Sequence, residues 1–282
     1  MLIRPAGALT LVVFGLLFAP VEVVAGETLV VRDFVGVFEL RTGAYERVEV
    51  SVKPGEGVVA RPEVKRKEHV VTVYGDKEKR VQCRDRDTPQ LRVQKGKWRD
   101  LSDFPHIIAT APKNVVVKVE SYAAYVSIGE AANVTLKMNG CGHAEILDVA
   151  SDFYMKANGS GDVVAHDIGG FAKLSLNGSS DVEMGRVGGG LTVEINGSGD
   201  VKARKVMGPI DIGVRGSGDV DIEEGRASSF DVSIMGAGDI TFGGLAMDPS
   251  IAIFGSGDIR VREAKGDVRR TRFGSGDIEI GP

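Results

Sequence analysis

One motif limits what this chain can fold into. Gly-Ser-Gly-Asp, followed by Val or Ile, recurs with its first glycine at Gly159, Gly178, Gly197, Gly216, Gly236, Gly255 and Gly274. The interval is 19 residues throughout, except for one step of 20 from Gly216 to Gly236. A degenerate copy, Gly140-Cys141-Gly142-His143, precedes the series at the same spacing, and a weaker trace lies at Ser121 to Val126. A fixed period near 20 is the mark of a solenoid, whose single coil cannot bury its own apolar face and relies on its neighbours to do so.

Apolar residues keep step with the motif. One residue after each Asp come Val163, Val182, Val201, Val220, Ile240, Ile259 and Ile278. Two residues further on come Ala165, Met184, Ala203, Ile222, Phe242, Val261 and Ile280. Ahead of the motif, Leu191-Val193-Ile195 and Ile210-Ile212-Val214 alternate with the period of two that strands require. A further inward column reads Ile168, Val187, Val206 and Leu245. Such columns make sense if coils stack about 4.8 Å apart, so that like side chains form ladders. Helices are excluded by the same pattern, because glycine interrupts every ten residues or so. The expected fold is all-β: a right-handed parallel β-helix of about 8–9 coils with a 19-residue repeat, capped by an irregular N-terminal β-rich region.

The glycine pair has a local reason, since it permits positive φ and close backbone approach at a sharp corner. Asn139, Asn158, Asn177 and Asn196 precede it in four copies, and Asn-Gly is a strong turn signal. Later copies carry Arg215, Met235, Phe254 and Phe273 there, so the Asn column reads as replaceable turn chemistry with room for an amide ladder. Asn133, Asn158, Asn177 and Asn196 also match the N-glycosylation sequon, three of them as a by-product of Asn-Gly-Ser.

Residues 26–113 are strand-like but irregular. Tyr45 to Val52 alternates, as does His69 to Tyr74, while Asp76 to Asp87 reads as a solvated loop or edge. Charge supports a boundary near residue 113: Glu27 to Lys113 holds 18 basic and 14 acidic residues, and Asn114 onward holds 16 and 24. Three segments result: a signal peptide at 1–25, a capping region at 26–113 and repeats at 114–282. Solenoid ends need covering against edge pairing, which gives the N-terminal region its expected role. Toward the other end, Arg270 and Arg272 stand where earlier copies are apolar. They either blunt the edge or make a docking surface for a partner or a second copy, in end-to-end self-association.

The Asp column, Asp162, Asp181, Asp200, Asp219, Asp239, Asp258 and Asp277, is the feature that could carry chemistry. Stacked carboxylates would repel by roughly 1 kcal/mol per pair in water, so something must offset that cost. Either each Asp accepts N–H groups of its own glycine turn, or Ca²⁺ ions lie between coils. No second carboxylate column accompanies it, since Val164, Glu183, Lys202, Asp221, Thr241, Arg260 and Glu279 follow two residues on. Ligand count therefore favours caps over calcium.

No catalytic set and no cofactor site emerges. His69, His106, His143 and His166 lack metal spacing, Ser160 and its counterparts are outside a Gly-x-Ser-x-Gly elbow, and the glycines lack a dinucleotide fingerprint. A catalytic motif would occur once, whereas this one recurs in every coil. Polysaccharide lyases or hydrolases on β-helices remain the enzymatic rival, though near-constant spacing leaves no room for long loops around a cleft. A net charge of −4 gives no case for nucleic acid.

Export is written in the first 25 residues: Arg4, an apolar run from Ala6 to Ala19, and small residues at Val23-Val24-Ala25. The run is too short to span a bilayer as a helix, which disfavours an uncleaved anchor, and no later segment qualifies. In an oxidising compartment Cys83 and Cys141 either form a bridge to the first coil or stay as two isolated thiols; spacing does not choose.

The Gly-Ser-Gly-Asp-Val/Ile repeats, Val193-Glu194-Ile195-Asn196 and the Tyr45-Glu46-Arg47-Val48-Glu49-Val50 strand resemble the auto-transporter adhesin head GIN domain family, over about residues 34 to 280. The resemblance implies a bacterial, exported right-handed β-helix without established activity, and it carries over no catalytic residues. Nothing here resembles a translocator barrel. The expected function is a non-catalytic scaffold of the periplasm or cell surface, binding an envelope protein or glycan. A glycan-active enzyme and a calcium-stabilised repeat module are the alternatives.

Overall fold

The structure is a computed structural model that describes residues 26–76, 80–84 and 89–281; the signal peptide expected at 1–25 lies outside them. It is almost entirely β, with coils stacked at a spacing of about 19 residues into a β-solenoid of about nine turns.

The strands begin with β1 (Thr28–Gly43), β2 (Glu49–Lys53), β3 (Glu63–Lys67), β4 (Val70–Tyr74), β5 (Val81–Arg84), β6 (Gln90–Val93), β7 (Arg99–Asp100) and β8 (His106–Pro112). The long strands β9 (Val116–Ile128) and β10 (Asn133–Ile146) follow. Then come β11 (Phe153–Gly159), β12 (Asp162–Ala165), β13 (Phe171–Gly178), β14 (Val182–Val187), β15 (Gly190–Gly197) and β16 (Val201–Gly216). The series ends with β17 (Val220–Gly236), β18 (Ile240–Met247), β19 (Ser250–Gly255), β20 (Ile259–Lys265), β21 (Arg269–Gly274) and β22 (Ile278–Ile280).

From β9 onward every pairing in the stack is parallel and joins equivalent residues of successive coils. One coil shows the plan. β15 forms the first face, Gly197 to Asp200 turns the corner, Val201 to Ala203 start the second face, and Val206 holds the third. Leu191, Val193, Ile195, Val201, Ala203 and Val206 all point inward and are buried. Register stacks them on Ala172, Leu174, Leu176, Val182, Met184 and Val187 below. Each aliphatic side chain so buried contributes roughly 1.5–3 kcal/mol, which is why the stack holds where a lone coil would not.

Two corner glycines make close stacking possible. At Gly197, Gly216 and Gly236 φ is 153°, 135° and 155°, and a Cβ at each would collide with the carbonyl oxygen of the glycine one coil below. Gly216→Ala should therefore cost at least about 2 kcal/mol in unfolding free energy, whereas exposed Ser217→Ala should stay within about 0.5 kcal/mol. Urea melts of the two variants check the contrast.

The inward column through Ile168, Val187 and Val206 is not continued by Leu245, as the spacing suggests; buried Ala246 takes the place, stacked on Ala227. The extra residue of the one 20-residue step enters between Ala227 and Phe230, where the register shifts. Phe230 and Phe242 stack in the core with centroids 5.1 Å apart. A Cβ at Gly244 would run into the Phe242 ring. The register sets Leu245 on exposed Arg226, so alternation turns Leu245 outward and Ala246 inward.

The parallel ladder also continues below β9. β1 pairs in parallel with β9 on one side, and with β4 and β8 on the other. Antiparallel β2 and β3 then line the outer sides of β8 and β4. β3, Glu-Val-Lys-Arg-Lys, is exposed at every residue, a charged edge that disfavours pairing with another apolar strand. The charged run from Asp76 contains a strand, β5, where a loop or edge is expected; residues 77–79 and 85–88 of that run lie outside the described residues. β5, β6 and β7 form a separate antiparallel sheet. Its inner side packs Leu91, Val81 and Val93 over Val35, Ala123 and Cys141 on the early coils. A disulfide joins Cys83 to Cys141, with Cα atoms 6.0 Å apart and a sequence separation of 58. A closed loop of that size is worth on the order of 4 kcal/mol in the chain-entropy picture.

Glu27 ties this end together. Its carboxylate accepts the Val48 N–H at 2.9 Å and an Arg66 guanidinium N–H at 3.1 Å. Burial pushes its pKa up, but the Val48 and Arg66 hydrogen bonds outweigh burial and hold it below the ordinary carboxylate value. A depressed folded pKa gives stability that is present above the unfolded value and lost as pH falls through the folded one. Glu27→Gln should cost about 1–2 kcal/mol at pH 7, and the gap to wild type should close in melts carried below about pH 4.

Candidate binding face

The Asp column lies just past the corner, one side chain per coil. Asp181, Asp200, Asp219, Asp239 and Asp258 each accept, through Oδ1, the backbone N–H of the Asp one coil on, at 2.7–3.0 Å. The donor is thus not the Asp's own glycine turn but the next coil. The backbone carbonyl of each next Asp in turn accepts the N–H that follows the lower Asp, as from Val201 to Asp219 and from Val220 to Asp239 at 2.9 Å. Each contact is a charge-assisted hydrogen bond worth roughly 1.5–3 kcal/mol, enough to offset the repulsion between stacked carboxylates. Among the described residues no group of three or more His, Cys, Asp or Glu could hold a metal ion. The four histidines are scattered: His69 lies 3.7 Å from Glu27, His106 lies 3.7 Å from Glu39, His143 is in register with Asp162, and the His166 carbonyl accepts the Gly185 N–H.

Asp219→Ala should destabilise by about 1 kcal/mol by removing the acceptor of the Asp239 N–H, and Asp219→Asn, which keeps Oδ1, should cost less than half as much. The melting temperature should be the same in EDTA and in Ca²⁺; a saturable rise with Ca²⁺ would make the column a metal ladder.

On the approach to the corner, four amides bond in sequence. Asn158, Asn177 and Asn196 donate Nδ2–H to the Oδ1 of the Asn one coil below, at 2.9, 3.1 and 3.2 Å. Arg215 ends the run with a guanidinium contact to Asn196 at 3.5 Å. From there the same outward column turns apolar. Met235, Phe254 and Phe273 are 46%, 45% and 67% exposed, and the two phenyl rings stack with centroids 5.6 Å apart and planes 11° apart. Alternation puts the apolar residues of a half-buried strand inside, so three large ones in a row outside are a departure that folding does not require.

Beside this ridge runs a strip of small residues, Gly213, Ser233, Ala252 and Thr271, aligned coil upon coil. Asp211, Asp231, Ser250 and Arg269 bound its far side. Burial, reinforced by the neighbouring carboxylates of Asp231 and then Glu194, pushes the Asp211 pKa up. Over its last three coils the first face thus presents a flat floor beside an apolar wall, with Asp231, Ser250 and Arg269 on the far side. The change from Asn to Met and Phe was visible in the sequence; what identifies it as surface is the outward direction of that column.

A family model matches residues 42–223 and again 168–281, the overlap being the internal repetition itself. Its description reads "Putative auto-transporter adhesin, head GIN domain". The chain belongs to this GIN domain family. No curated protein matches it. For a GIN domain the described residues include no helix long and apolar enough to cross a membrane.

Proposed function

We propose that this GIN domain is an exported, non-catalytic interaction scaffold of the bacterial cell envelope, periplasmic or on the cell surface, and that the ridge of Met235, Phe254 and Phe273 is its ligand-contacting face. The observation that carries the reading is that ridge: large apolar side chains on the solvent side of a regular sheet, beside a floor of small residues. Exposed apolar groups in contiguous array mark contact surfaces on soluble proteins. The adhesin description of the family and the leader-like first 25 residues support an envelope role. A rigid stack suits it, because a preformed face loses little entropy on binding.

The test is a screen of the chain from Gly26 onward against glycan arrays and purified envelope proteins, alongside Phe254→Ser/Phe273→Ser. A ligand held by the parent and at least about tenfold weaker on the double variant is the expected result, the loss of two apolar contacts corresponding to about 1.4 kcal/mol or more. A ligand bound equally by both would take the ridge out of the reading. Release of new reducing ends from a polysaccharide panel would replace the scaffold with a β-helix enzyme.

A further inference from the structure

The outer edge of β21, the strand that also carries Phe273 of the ridge, has a second contact chemistry of its own. Among the described residues β21 pairs with β19 alone. Arg269 and Ser275 donate their N–H groups back to Pro249 and Gly255. In a parallel ladder the alternate residues turn their backbone groups the other way, so those of Arg270 and Arg272 face the open side. Exposed sheet edges of this kind accept an added strand.

The side chains on this edge specify which strand. Register places Arg270 over Ile251 and Arg272 over Ile253, in columns that are Val232 and Ile234 one coil lower and Ile212 and Val214 below that. Another repeat-like coil laid on β21 would press aliphatic side chains onto two guanidinium groups and strip them of water, an expensive arrangement without paired charge. A strand bearing carboxylates two residues apart would meet the guanidinium groups instead, with the fork geometry that Arg matches best. Arg272 already shows this preference: it donates to the Asp277 carboxylate at 2.7 Å and to the Gly276 carbonyl at 3.2 Å. Arg270 is exposed and has no ion pair among the described residues. At the same end a recess of about 560 Å³, lined in part by Phe242, Val261 and Ile280, opens beside β22 and offers room for an apolar anchor.

We propose that β21 binds an extended acidic segment of a partner protein by strand addition, with carboxylates at alternate positions of the segment facing Arg270 and Arg272. At the opposite end the outermost strands are β2 and β3, joined antiparallel to β8 and β4, so the parallel geometry of the β21 edge is not repeated there.

Fluorescence anisotropy tests this with the chain from Gly26 onward and three labelled peptides: alternating Glu-Thr, alternating Lys-Thr, and Glu-Thr N-methylated at every second amide. The Glu-Thr peptide should bind, the Lys-Thr peptide should not, and N-methylation should weaken binding at least tenfold. Arg270→Glu should weaken the Glu-Thr peptide at least tenfold and gain affinity for Lys-Thr, with Arg270→Gln intermediate. Unchanged melting temperatures of both variants would show that this exposed position leaves the fold intact. No binding of Glu-Thr, equal binding of the two charges, or indifference to N-methylation would each overturn the proposal, the last by reducing it to unspecific charge attraction.

Discussion

A chain that stacks on itself every nineteen residues must carry its hydrogen bonds around each corner. On the flat faces the parallel ladder does this unaided, because each N–H finds a carbonyl in the adjacent coil. At the corner the backbone bends sharply and the N–H of the residue after the glycine turn has no carbonyl in reach. Here the carboxylate of the Asp one coil below supplies the acceptor, as between Asp200 and Asp219 at 2.9 Å. The two glycines let the backbones come close enough for that bond to form, and so the motif recurs as a unit. The column is a continuous set of contacts between neighbours, which makes each coil dependent on the next.

Everything on the outside follows from this regularity. Since the corners fix the register, every outward position becomes a column along the stack, and a column can change chemistry without disturbing the interior. The Asn run from Asn139 to Asn196 uses its column for an amide ladder. The last coils spend the same column on Met235, Phe254 and Phe273. The first coils use the corner position differently again, as the seat for the small β5–β7 sheet fastened at Cys141. A scaffold of this kind can vary its contacts column by column while its core stays Val, Ile and Leu.

Much of the fold was legible because period and alternation are both one-dimensional signals. The 19-residue spacing, the inward columns and the glycine corners could be read directly from residue order. Less legible were features that depend on volume or on a neighbour distant in sequence. Leu245 fits the column by spacing, yet the register shift after Phe242 sets it on outward Arg226, and Ala246 goes inside on Ala227. The participation of β1 in the stack is hidden because its partners β4, β8 and β9 are irregularly spaced, at 42, 69 and 88 residues. β5 is hidden by the charges that surround it. The role of the Asp side chain was half legible: its type says acceptor, but only the stacking geometry says that the donor belongs to the next coil. The ridge was seen as a change of residue and not as a surface, since alternation alone does not say which side of a corner residue meets water.

Hydrogen exchange of individual amides, followed by NMR on the chain from Gly26 onward, tests the corner most directly. The amides of Asp200, Asp219, Asp239, Asp258 and Asp277 should be protected to the same degree as those of the strands that flank them, because each is bonded to the carboxylate below and opens only with its coil. Fast exchange at these five amides, with the flanking strands still protected, would mean that the carboxylates do not carry the ladder around the corner and that the coils are joined by their faces alone.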